Sequence, residues 1–191
     1  MKNALVAALI VLAIGMPARA NYLESWDNSH ADWQYWRGHL NEPYVTHVAN
    51  GGAGDTGHVM VDLADVAAWG NQGGDIDWTY WPCYVYPTPG GPKQFDLTDQ
   101  TVSIFLKGVN ADLQSGTLHF YIGSADAQNT ALYRHDTPLS IGVGGWVQTQ
   151  IALGNDGTNW TLIEQAAGNT QTVADALANP LEYGFTITGV Q

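Results

Sequence analysis

Residues 101–109 read TVSIFLKGV and residues 116–124 read GTLHFYIGS. Both are rich in apolar and β-branched residues at alternating positions, the period of a strand whose successive side chains point to opposite faces. WVQTQIAL (146–153) and YGFTITGV (183–190) carry the same signal, and PYVTHVANGG (43–52) and GHVMVDL (57–63) add two strands around a glycine-rich turn. Helical signal is confined to TVADALAN (172–179), two turns started by Thr170 or Thr172 and stopped before Pro180. Many short strands with turn signals between them, no repeat and no linker predict an all-β fold, an antiparallel two-sheet sandwich rather than βαβ units.

The chain opens on MKNALVAALIVLAIGMPARA (1–20), with one lysine, an apolar run from Ala4 to Met16, and then Ala18-Arg19-Ala20. A charged start, an apolar middle and an A-x-A site make a signal peptide, so export and cleavage after Ala20 are expected. The run is short for a membrane span, with an uncleaved anchor as the alternative. Residues 21–191 are then the single domain, placed outside the cell, in a periplasm or at the cell surface.

That domain holds all eighteen acidic side chains against four basic ones (Arg37, Lys93, Lys107 and Arg134), a balance of −14. With no cluster of Lys or Arg, nothing is set out to meet a phosphate backbone, and nucleic acid is not an expected partner. Cys83 is the sole cysteine, so no internal disulfide forms; its apolar neighbours fit a small buried residue better than a reactive thiolate.

Five segments, in order along the chain, resemble secreted jelly-roll modules of the laminin IV (laminin B) type and several carbohydrate-binding modules. ESWDNSHADW (24–33) is similar to their opening S-F-D…G-W, and HVANGGAGDTGHVMVDL (47–63) to the loop and strand that follow. PKQFDLTDQTVSIFLKG (92–108) resembles their P-x-K-F-x-D lead into a core strand. GGWVQTQIALGNDGTNW (144–160) and TVADALANPLEYGFTITG (172–189) resemble their later Trp–Leu–Trp spacing and L-x-N…I-x-G element. The resemblance implies a jelly-roll sandwich with Trp26, Trp33, Trp146 and Trp160 in or near the core. Such modules continue into a last strand with an Asp-Asn or Asp-Asp pair. Here the sequence stops at Gln191, so either that strand is absent or the sequence is truncated.

For function, the informative stretch is GGDIDWTYWPCYVYPTPGGP (73–92). If extended, one parity carries Trp78, Tyr80, Tyr84 and Tyr86, and the other Trp81, Cys83 and Val85. Pro82 places the segment on an edge, at a bulge or at a reversal. Two readings follow: rings that cap the core, or an exposed platform on which sugar C–H faces stack while Asp75, Asp77 and Thr79 bond the hydroxyls. For a cation, Asp55 and the carbonyls of NGGAGDTGH (50–58) suit calcium, which takes hard oxygen ligands. The resemblance adds Asp27 as a ligand of a structural calcium. An ordinary Asp-Thr-Gly turn is the alternative.

The six histidines show no zinc-type spacing, no G-x-S-x-G elbow is present, and no carboxylate pair is marked as a general acid and base. The sequence therefore predicts a non-catalytic carbohydrate-binding module, with a glycan as partner and calcium as the one cofactor. A structural or adhesive surface module, and a polysaccharide hydrolase or lyase on the same scaffold, are the alternatives.

Overall fold

Alternation at 101–109 and 116–124 folds into the two strands around which the rest assembles. In the computed structural model the described residues are 4–11, 23–24, 26, 28, 33–35, 46–62, 83–85, 96–109, 117–124 and 131–188. In chain order the strands are β1 (Ala4–Val11), β2 (Leu23–Glu24), β3 (Trp33–Tyr35), β4 (Thr46–Val48), β5 (His58–Asp62) and β6 (Cys83–Val85). They continue as β7 (Thr101–Val109), β8 (Thr117–Ser124), β9 (Ala131–His135), β10 (Gly142–Val143), β11 (Val147–Ala152), β12 (Trp160–Gln165) and β13 (Glu182–Thr188). A 3₁₀ turn spans Ala53–Asp55, and the helix α1 spans Val173–Ala178.

Among the described residues the strands form three sheets. The largest runs β10-β7-β1-β5-β4, with β11 also on β7 and β2 also on β1. A four-stranded sheet runs β12-β9-β8-β13, and β3 pairs with β6. Among the described residues every pairing is antiparallel except that of β10 with β7. The fold is therefore all-β, as the two-residue period predicts.

One buried cluster draws on both larger sheets. Val59, Val102, Ile104, Leu106 and Ile151 come from the first; Leu118, Phe120, Ile122, Tyr133, Tyr183 and Phe185 come from the second. The parity is consistent: Tyr183 sits opposite Ile122 and Phe185 opposite Phe120, so apolar residues of neighbouring strands share a face. Trp26, expected in the core, is 1 % exposed within this cluster.

α1 closes the cluster with Ala176 and Leu177. Thr172 starts it: its hydroxyl accepts from the Asp175 N–H while the Asp175 carboxylate accepts from the Thr172 N–H, so two end donors are satisfied. The chain leaves the helix at Asn179, before Pro180, as the sequence predicts.

β1 was not expected. Residues 4–11, read from sequence as the apolar middle of a signal peptide, lie between β7 and β5, with Val6 paired to Lys107 on one side and to Met60 on the other. A strand flanked on both edges within a sheet takes a continuous apolar run, and ALVAALIV is one. The same eight residues therefore serve either description.

A candidate binding face on the seven-stranded sheet

Register decides which side chains look outward. On β7, Val102, Ile104 and Leu106 enter the core, so Ser103, Phe105 and Lys107 point to the opposite face. Gln150 lies across from Ser103 and Gln148 across from Phe105, which sets both amides on that outer face. Trp146, two residues before Gln148, continues the row. Ile151, of the other parity, is buried among the core residues.

Trp146 is held from three directions. Its Nε1–H donates to the Gly51 carbonyl at 3.0 Å, tying it to the turn before β5. The His58 ring meets it edge-on, with centroids 5.5 Å apart and planes at 72°. The Lys107 Nζ stands 5.8 Å from the indole centroid, within cation–π range. The glycine turn before it is obligatory, since a Cβ on Gly142 would collide with the Gly145 carbonyl oxygen. From that turn Val143 projects, 92 % exposed.

The two glutamines are fixed as well. Gln148 Nε2 donates to the Ser103 hydroxyl oxygen at 2.8 Å, and Gln150 Nε2 reaches the same oxygen at 3.4 Å. Ser103 is fully covered, while both glutamines are exposed. Each amide keeps a second N–H and a carbonyl oxygen with which to meet a ligand. The result is an indole, an ammonium and two oriented amides in one outward row.

His58 is buried beside this row, and burial pushes its pKa below the ordinary value; the nearby Lys107 charge and His47 act in the same direction, and the Asn50 carbonyl opposes them. A neutral imidazole there leaves Lys107 as the cation on the indole.

Of the residues predicted from sequence, Trp78, Tyr80, Tyr86, Asp75 and Asp77 lie outside the described residues, as does Asp27. Tyr84 is described in its backbone: it sits in β6 opposite Gln34, while Cys83 and Val85 sit opposite Tyr35 and Trp33. Asp55 is exposed at the end of the 3₁₀ turn, with φ at 65°.

The turn's carbonyls already accept hydrogen bonds from protein donors. Gly51 receives Trp146, Gly52 receives the Asp55 N–H at 3.0 Å, Ala53 receives the Thr56 hydroxyl at 2.9 Å, and Thr56 receives the Gly52 N–H at 2.8 Å. A cation at this turn would share them through their second lone pairs. Among the described residues, no group of three His, Cys, Asp or Glu stands close enough to hold a metal.

Trp160 and Trp146, both expected in or near the core, part company. Trp160 packs against the core cluster, donates from Nε1 to the Leu153 carbonyl at 3.0 Å, and meets the His135 ring edge-on at 5.0 Å. Trp146, also half-buried, lies outside that cluster, two residues before the exposed Gln148. The sequence holds the signal for this: in WVQTQIAL, Trp146 shares its parity with Gln148 and Gln150, and Val147, Thr149 and Ile151 take the other.

No known protein family, no curated protein and no solved structure matches the chain.

Proposed function

We propose that this chain is an exported jelly-roll β-sandwich module, of the kind it resembles in sequence, and that it binds carbohydrate without transforming it. The observation that carries this reading is the outward row of Trp146, Gln148 and Gln150 over Ser103. An indole offers an apolar face to the C–H side of a sugar ring, and oriented amides donate to and accept from its hydroxyls. Polar side chains on a sheet face are ordinary; two amides clamped on one buried hydroxyl beside a tethered indole are organised for a ligand, because little side-chain freedom is left to lose on binding. The aromatic run at 78–86, with Asp75 and Asp77, remains the second proposed surface. A structural calcium at Asp27 and Asp55 belongs to the same proposal.

The test is retention of the purified chain on gels containing a panel of polysaccharides, with Tm followed as each soluble glycan is added. Retardation on at least one polymer, with a rise in Tm that grows with its concentration, supports binding to the native state. Migration identical to that on plain gel across the whole panel rejects it. Export has its own test. Cleavage after Ala20 would remove β1 and leave β7 and β5 without the neighbour they share. The mass of the secreted protein should correspond to a chain beginning at Asn21; the mass of the full chain would reject the cleaved leader.

A further inference from the structure

The ligand's class and its path can be narrowed. Trp146, Gln148 and Gln150 stand at alternate positions along the β11 strand direction. Alternate residues of a strand are about 7 Å apart, so the row runs for roughly 13 Å. One stacked sugar ring occupies the indole and stops short of Gln150. A ligand that meets the whole row is therefore a chain of linked rings.

Among the described residues β11 pairs with β7 and with no other strand, so it is an edge, and Ala152, which follows the row, is exposed. Such a strip takes the interior of a chain as readily as its end.

Charge narrows the class. Among the described residues the face carries one cation, Lys107, and that ammonium stands over the Trp146 indole. The other groups of the row, two amides and a hydroxyl, are uncharged. The chain from Asn21 onward carries eighteen acidic against four basic side chains, a field that repels polyanions.

From this geometry and charge we infer that the β11 face binds an uncharged polysaccharide chain lengthwise, with one ring on Trp146 and following rings over Gln148 and Gln150. This rests on the carbohydrate reading and deepens it. Uronate-bearing and sulfated polymers are excluded by charge, and recognition of a single terminal sugar by the length of the row.

The experiment uses the full chain and titrates it with oligomers of neutral sugars (cello-, xylo-, manno- and laminari-series), from monosaccharide to hexasaccharide. Alginate and polygalacturonate are run beside them. Within the series that binds, affinity should rise about tenfold or more from monosaccharide to tetrasaccharide, ~1.4 kcal/mol. Gln150→Ala should weaken the hexasaccharide several-fold, and by a larger factor than it weakens the shortest ligand that binds measurably. The two acidic polymers should not be retained at low salt. A monosaccharide bound as tightly as its hexamer, a preference for the acidic polymers, or a Gln150→Ala loss equal at every length overturns the inference while leaving carbohydrate binding in place. Failure to bind every neutral and acidic glycan overturns the carbohydrate reading and this inference with it.

Discussion

Strands β8 and β11 are both built from alternating sequence, yet they are used in opposite ways. β8 is buried from Leu118 to Ser124, on both faces, and both ring nitrogens of its His119 are paired within the protein. His119 Nδ1 donates to the His135 carbonyl at 2.9 Å, and its Nε2 accepts from the Thr117 hydroxyl at 2.8 Å. β11 buries Ile151 and leaves Gln148 and Gln150 exposed, held by one covered serine. Polar groups in β8 are spent on the fold; those in β11 are oriented by the fold and remain available. A buried polar group needs a partner within the protein, whereas an exposed one that is held in place keeps hydrogen-bonding capacity on the solvent side and has less freedom to lose if it binds.

The largest effect expected from this contrast is in β8. Phe120 is 1 % exposed and meets the rings of Tyr183 and Phe185 at 6.4 and 6.1 Å between centroids. Phe120→Ala should cost about 3–5 kcal/mol of stability in a denaturant titration, the range for truncating a buried aromatic. A loss under about 1 kcal/mol would mean that β8 is not the rigid half.

Acid should come next. Burial holds His119 and His135 below their ordinary value of 6.5, with Arg134 lowering His119 further and Asp136 opposing for both. His135 Nδ1 accepts from the Thr137 N–H at 3.2 Å, a bond that a proton on that nitrogen would abolish. A histidine whose folded pKa is lowered takes its proton more readily in the unfolded chain. Its stabilisation is therefore complete above about pH 6.5 and is lost as pH falls through the folded values. Tm should drop between pH 7 and pH 5, and His119→Gln should flatten that slope. A Tm that is level or rising over this interval would break the assignment. Carboxylates held below their usual range, such as Asp175 accepting from Thr172, titrate at lower pH and do not enter this window.

The smallest effect is predicted on β11. Gln148→Ala removes an exposed amide and should change stability by no more than about 0.5 kcal/mol in the same denaturant titration. A loss approaching that of Phe120→Ala would place Gln148 with the fold rather than with a ligand.

Much of the strand plan was legible. TVSIFLKGV matches β7 from end to end, and GTLHFYIGS and WVQTQIAL run one or two residues past β8 and β11. The helix was legible because Thr172, Asp175 and Pro180 mark its ends chemically. β12 was not, since its outward and inward positions are mostly exposed and its sequence WTLIEQ carries no clean period. The run at 4–11 was ambiguous for a physical reason: a continuous apolar stretch satisfies a central strand and an export leader alike. Of the candidate site, the outward parity of Trp146 was present in the sequence. Its contacts with Lys107, His58 and Gly51, and the shared hydrogen bonds to Ser103, follow from the β7–β11 register and the turn at 50–52, which no local pattern encodes.

On the proposed reading, Trp146 belongs to a binding face and Phe120 to the core. Trp146→Ala, measured for retention on the polysaccharide that holds the wild type and for denaturant stability in the same preparation, tests it most directly. The account predicts loss of retention together with a stability loss of about 1–2 kcal/mol, the scale of one hydrogen bond and one cation–π contact. Retention equal to wild type, or a stability loss matching that of Phe120→Ala, would contradict it.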